Sequence, residues 1–170
     1  KVYRSKLGYT KVANFGDTTA KDVKEQILGM EKSNNIKGMV IDLRNNPGGT
    51  LTAAIETSDL FLDKQNLKND LIVYTRGRLD IDNMEAYATP GDILKNKPIV
   101  VLINNGSASA SEILAGAIKD QKRGVVMGTP SFGKGSVQTV IPIDYESAIK
   151  LTTALYYTPN GISIQAHGIL

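Results

Sequence analysis

The chain has 170 residues, of which 41% are hydrophobic and 22% charged, a composition suited to one soluble globular domain with a sizeable core. Its net charge of +3 and pI near 9.0 are mild, and the small basic group Lys119, Lys122 and Arg123 reads as cations at a helix C-terminus, so no nucleic-acid interface is indicated. Cysteine is absent, which excludes disulfides, thiolate metal sites and a cysteine nucleophile and fits an oxidising compartment without establishing one.

Gly8 to Phe15 reads as a strand. Thr18 and Thr19 are candidate caps for a helix over 19–34, with Val23, Ile27, Leu28 and Met30 broadly on one face. A short apolar strand within 37–43 breaks at Asn45-Asn-Pro-Gly-Gly49, a strong turn signal. Residues 51–62 have helical spacing, with Leu51, Ile55 and Leu62 as core candidates, and 71–75 reads as a strand. Residues 77–98 are mostly polar and read as a surface connection. The aliphatic run Ile99 to Ile103 predicts a strand covered on both faces. A helix follows over 109–122, with Ile113, Leu114, Ala117 and Ile118 inward. Then come a strand at 124–127, a loop at 128–135, strands at 137–143 and 149–157, and a turn at 159–161. One of Tyr156 and Tyr157 is expected in the core. No apolar run approaches the roughly 20 residues that span a bilayer. Strands alternate with helices through the middle and dominate the last third, which argues for an α/β domain with a mixed β-sheet flanked by helices.

Length arithmetic gathers three loops. A helix of about 13 residues runs back roughly 20 Å, and the strand at 124–127 with its flanks covers a similar distance forward. The loop carrying Lys134 therefore returns to the edge where the Ser109 helix starts. If the 38–43 strand is parallel to these, Gly48 and Gly49 share that edge, the carboxyl edge at which open α/β sheets place their sites. Ser109 at a helix N-terminus lies where unpaired N–H groups favour negative charge. Gly48 and Gly49 let backbone N–H groups approach a substrate carbonyl. Lys134, between two glycines, is expected as a buried amine that serves as a neutral base for a serine hydroxyl.

Blander readings accompany each feature. Ser109-x-x-Glu112 is also a capping box, Asn45 to Gly49 is also an ordinary turn, and a lone loop lysine is usually solvated. Gly128-Thr-Pro-Ser-Phe-Gly-Lys-Gly135 nearly spells a phosphate loop, but Gly135 stands where magnesium needs Ser or Thr and a strand follows where a helix should. His167, the only histidine, has no partner visible in sequence and reads as a surface or packing residue. Asp42 and Asp120 read as strand-end and helix-surface carboxylates.

The segments Gly8-Tyr-Thr-Lys-Val12, Asp42 to Gly49, Asn105-Gly-Ser-Ala-Ser-Ala-Ser-Glu-Ile113, Gly128 to Gln138 and Leu151 to Gly161, in this order, resemble the C-terminal (tail-specific) processing peptidases, the S41 serine proteases. The similarity covers nearly the whole chain. It implies a crotonase/ClpP-like α/β core and a serine endopeptidase that cleaves polypeptides near their C-terminus through a Ser/Lys dyad and an acyl-enzyme. It selects Ser109 among three closely spaced serines as nucleophile. It assigns Lys134 as general base, Gln138 as the residue orienting that lysine, and the Gly49 and Ala110 backbone N–H groups as oxyanion hole. Four extended residues would separate Lys134 from Gln138 by about 13 Å, so their contact requires a bend near Gly135.

The resemblance further implies protein or peptide substrates presented by their C-terminal tails, no metal or organic cofactor, no nucleic acid, and an extracytoplasmic location in the periplasm or cell envelope. Residues 1–170 are expected to be the catalytic core of a longer protein whose PDZ domain lies outside them. Whether it forms a homo-oligomer is open. His167 stands where a lysine is common. Two other readings share the fold: a ligand- or peptide-binding module that lost catalysis, and a crotonase-type acyl-CoA enzyme. Neither needs Ser109, Lys134 and Gln138 together.

Overall fold

The computed structural model describes residues 1–3, 6–67 and 69–170. Its strands fall into two four-stranded sheets. The first is wholly parallel, in the order β1 (Leu7–Lys11), β2 (Gly38–Asp42), β5 (Ile99–Ile103), β6 (Val125–Gly128). The second is antiparallel, in the order β4 (Met84–Tyr87), β3 (Leu71–Gly77), β8 (Ala148–Tyr157), β7 (Ser136–Pro142). The α/β class expected from sequence holds, with parallel and antiparallel pairing each kept to its own sheet.

Three helices connect the strands: α1 (Thr19–Asn34), α2 (Leu51–Asp59) and α3 (Ala110–Asp120). Helix α1 buries Val23, Ile27 and Met30, at i, i+4 and i+7. Leu28 was expected beside them and is 49% exposed, because it lies one residue round from that stripe. Helix α2 is shorter than the spacing predicts. Its buried face is Ala53, Ala54, Thr57 and Ser58, while Leu62 is buried beyond its end. Helix α3 is buried along Ala110 to Ile118, including Ile113, Leu114, Ala117 and Ile118. It needs that apolar surround because it runs between the sheets, and it packs on both α2 and β3.

Two other expectations are corrected. The first strand ends at Lys11, after which the chain turns so that Phe15 bridges Gly49. The 77–98 segment contains β4 and buries Ala88 and Leu94, so it is partly core. Of the tyrosine pair, Tyr156 is the buried ring. No helix among the described residues is long and apolar enough to cross a membrane.

The parallel sheet decides where the loops go. Asp42 lies opposite Leu102, and Ile103 lies opposite Gly128. β2, β5 and β6 therefore end along one edge and release the loops carrying Gly49, Ser109 and Lys134 on the same side. The first of these ends is pinned by Asp42, which is 2% exposed and accepts the Arg44 guanidinium at 2.7 and 2.9 Å, the Arg44 N–H at 3.0 Å and the Tyr9 hydroxyl at 2.7 Å. The Arg44 guanidinium is the main reason its pKa falls to about 2; burial opposes the shift and the Tyr9 hydroxyl adds to it. A depressed folded-state pKa means a contribution fully present above the unfolded carboxyl value of about 3.9 and lost as pH falls through about 2. Asp42→Asn should lower the melting temperature at pH 7 and flatten its dependence on pH between about 4 and 2, as calorimetry across that range would record.

Candidate active site

Each of the three loops is built by local bonds that its sequence makes available. In Asn45-Asn-Pro-Gly-Gly49, Asn46 is fully buried. Its amide donates to the Val12 carbonyl at 2.8 Å and its side-chain oxygen accepts the Gly48 N–H at 2.9 Å. Its backbone carbonyl accepts both the Ala108 N–H at 3.0 Å and the Ser111 hydroxyl at 3.0 Å. Asn104 adds a second tie, accepting the Asn45 N–H at 2.9 Å. The motif is thus more than a turn, since it fastens the β2–α2 loop to the start of α3.

Glycine is required at the end of that motif. Gly48 and Gly49 have φ of 106° and 154°. A Cβ on Gly48 would stand 2.8 Å from the Ala108 carbonyl oxygen and 2.9 Å from Ser109 Cβ, and one on Gly49 would stand 1.9 Å from the Phe15 carbonyl oxygen. The absent side chains bring this backbone against the Ser109 turn. Gly49→Ala should therefore destabilise the protein by about 2–4 kcal/mol through strain and overlap, measured by denaturant unfolding, and should lower activity in the folded fraction.

The three serines of the β5–α3 turn separate cleanly. Ser107 and Ser111 are fully buried, and their hydroxyls donate to the Leu43 carbonyl at 2.7 Å and the Asn46 carbonyl at 3.0 Å. Ser109, between them, is half-buried and lines a cleft of about 420 Å³. It is the N-cap of α3 and has φ 54° and ψ −112°, a conformation that costs a non-glycine residue about 1–3 kcal/mol. A strained strand-to-helix turn of this kind presents a side-chain oxygen away from the backbone, ahead of a helix N-terminus. The capping-box carboxylate is in place, with Glu112 accepting the Ser109 N–H at 2.7 Å. Neither the Ala110 nor the Gly49 N–H donates to a protein acceptor among the described residues; Gly49 lines the cleft, and Ala110 is buried directly after Ser109.

Lys134 and Gln138 line the same cleft as Ser109 and Gly49, with Leu51, Val140 and Tyr156 as apolar wall. Lys134 was expected buried; it is exposed, because the cleft is open to solvent on that side. Among the described hydrogen bonds, none joins its amine to Ser109 Oγ or to the Gln138 amide. The Gly135 N–H donates to Gln165 Oε1 at 3.0 Å, and β7 begins at Ser136 with an irregular register between Val137 and Gln138; no bend marks residues 131–135. His167 is exposed, its Nδ1 lies 2.9 Å from the Gln165 carbonyl, and it is not among the residues lining the cleft. Asp120 accepts the Asn160 N–H at the helix surface.

Sequence reasoning overlooked the residues that hold the loops together: Asn46, Asn104, Ser107, Ser111 and Ser131. Only the Asn and Ser content of the motifs hinted at them. A second depression of about 340 Å³, lined by Lys24, Asp59 and residues 89–93, holds no comparable set. No three His, Asp or Glu side chains among the described residues converge as a metal site.

The carboxyl edge of the parallel sheet of this α/β protein thus gathers the strained Ser109 turn, the Gly49 backbone and Lys134 around one cleft. Residues 6–170 match the model of peptidase family S41, and the chain belongs to that family. It is 50% identical over 166 residues to a carboxy-terminal-processing protease of Bartonella bacilliformis, covering 96% of this chain and 37% of that protein. It is 39% identical over 164 residues to the carboxy-terminal processing protease CtpA of Bacillus subtilis, covering 96% and 34%. Among solved structures, a photosystem II D1 C-terminal processing protease matches with a TM-score of 0.84 at 35% identity, over 96% of this chain and 40% of that one. The chain thus spans between a third and two-fifths of the length of these three proteins.

Proposed function

We propose that this chain carries the catalytic site of a serine endopeptidase that cuts polypeptides near their C-terminus. The observation that carries the reading is the separation of the three serines: two hydroxyls are spent on backbone carbonyls and Ser109 alone is turned into the cleft shared with Lys134. Ser109 Oγ attacks the scissile carbonyl while Lys134, held by Gln138, takes the hydroxyl proton. The Gly49 and Ala110 N–H groups receive the developing oxyanion. The tetrahedral adduct collapses to an acyl-enzyme as the C–N bond breaks, and Lys134 returns its proton to the departing amine. Water then attacks the ester by the same steps in reverse. Because Lys134 is exposed in the free chain, a bound polypeptide filling the cleft supplies the exclusion of water that a neutral amine requires.

The relatives are named for processing at carboxy termini, which favours C-terminal tails as substrates. A PDZ domain elsewhere in the intact protein, and a location outside the cytoplasm, belong to the same proposal. The test is covalent labelling. The intact protein treated with a fluorophosphonate probe, digested and analysed by mass spectrometry, is expected to carry one adduct, on Ser109. An adduct on Ser107 or Ser111, or none on a protein that cleaves polypeptides, overturns the assignment.

A further inference from the structure

Glu112 does more in this structure than cap a helix. Its carboxylate is fully buried and takes four donors. One oxygen accepts the backbone N–H of Ser109 at 2.7 Å and that of Lys134 at 2.9 Å. The other accepts the Gly133 N–H at 2.6 Å and the Ser131 hydroxyl at 2.6 Å. A cap needs only the first of these bonds. The remaining three come from a loop 19 to 22 residues further along the chain.

We propose that Glu112 is a positioning residue, a clamp that fixes the Ser109 turn against the Lys134 loop and so sets the approach of the two side chains. The proposal rests on the reading of Ser109 and Lys134 as the reacting pair. Two N–H groups on one oxygen keep the backbone nitrogens of Ser109 and Lys134 within about 5.6 Å, the 2.7 and 2.9 Å bonds laid end to end. No other group in the described structure bonds to both residues. The clamp is also rooted further out. Ser131 Oγ, while donating to Glu112, accepts the Ile169 N–H at 2.6 Å, and the Ala166 N–H donates to the Gly133 carbonyl at 2.8 Å. Residues 164–169 thus support the lysine loop from behind, and Glu112 ties it to α3.

The chemistry of the residue type fits this task. An ionised carboxylate is acceptor-only and can take all four donors, which offsets the cost of burying its charge. A glutamine cannot. With its amide nitrogen turned to Ser131, whose hydroxyl can accept, its oxygen keeps Ser109 and Lys134, but the Gly133 N–H is left facing a donor. An alanine loses every bond. The two substitutions therefore grade the clamp.

The experiment uses the intact protein with Glu112→Gln, Glu112→Ala and a core comparator, Ile27→Ala, which lies in α1 and is fully buried. Melting curves give the folded fraction; peptide turnover and the rate of fluorophosphonate labelling at Ser109 are then expressed per folded molecule. Misplacing reacting groups by about 1 Å can cost about 10²-fold, so kcat is expected to fall by about that factor in Glu112→Ala and by about 10-fold in Glu112→Gln, with KM within about 3-fold in both. Ile27→Ala should lose melting temperature but not kcat per folded molecule. If Glu112→Ala does not fold, Glu112→Gln decides alone. A folded Glu112→Gln protein with wild-type kcat and labelling rate overturns the clamp and leaves the dyad reading standing. Absence of Ser109 labelling in the wild type overturns the dyad reading, and the clamp with it.

Discussion

Ser109→Ala is expected to reduce kcat by about 10⁴-fold or more while changing stability by less than about 1 kcal/mol. Both halves follow from the geometry. The hydroxyl lines the cleft and donates to no backbone carbonyl, so its removal costs the fold only its side of the capping box with the Glu112 N–H, at the low end of the roughly 0.5–2 kcal/mol of an N-cap serine. The strained backbone at this position is retained, since the Ser109 N–H still reaches Glu112. The neighbouring serines should behave the opposite way. Ser107→Ala strips a buried donor from the Leu43 carbonyl and an acceptor from the Asn104 N–H, a cost of about 1–3 kcal/mol, while leaving the cleft serine available for labelling. Steady-state peptide cleavage and denaturant unfolding on both variants separate the two roles. A Ser109→Ala protein that still turns over at the wild-type rate removes this residue from the chemistry.

The second large effect is expected at Lys134. Positioned proton transfer typically contributes about 10²–10⁴-fold, and Lys134→Ala should lose a factor in that range. Lys134→Arg should be as inactive, because a guanidinium stays protonated and cannot accept the serine proton. Preserved charge without preserved activity is the signature that distinguishes a base from an electrostatic anchor. The backbone of Lys134, not its side chain, carries the bond to Glu112, so both variants should keep the loop in place. Recovery of activity by Lys134→Arg would assign the lysine to substrate binding instead.

Much of this architecture is legible in the sequence, and the exceptions have physical causes. The 16-residue α1 and the aliphatic β5 follow from spacing alone, and the return of β6 to the edge where β5 ends follows from helix and strand lengths, whereas β2 shares that edge only on the supposition, met by the fold, that it is parallel. The division into two sheets does not, because it depends on β3 pairing with β8, from Tyr74 opposite Tyr157 onward, far along the chain. The edge strand β4 was hidden because four half-exposed residues carry little periodicity. At the site, the motifs gather the right loops, yet spacing cannot choose among Ser107, Ser109 and Ser111. Their hydrogen-bond partners distinguish them, since Ser107 and Ser111 donate to backbone carbonyls and Ser109 does not. Glu112 shows the same limit: the capping spacing reveals its bond to Ser109, while Ser131, Gly133 and Lys134 are linked to it only through the fold.

On the proposed mechanism, Lys134 reaches Ser109 when a polypeptide fills the cleft. A crystal structure of the intact protein with a peptide boronate bonded to Ser109 tests it most directly. The expected result places Lys134 Nζ about 2.6–3.2 Å from Ser109 Oγ, with the Gly49 and Ala110 nitrogens about 2.7–3.1 Å from one boronate oxygen. A fully occupied adduct with the lysine amine still out in solvent would contradict it.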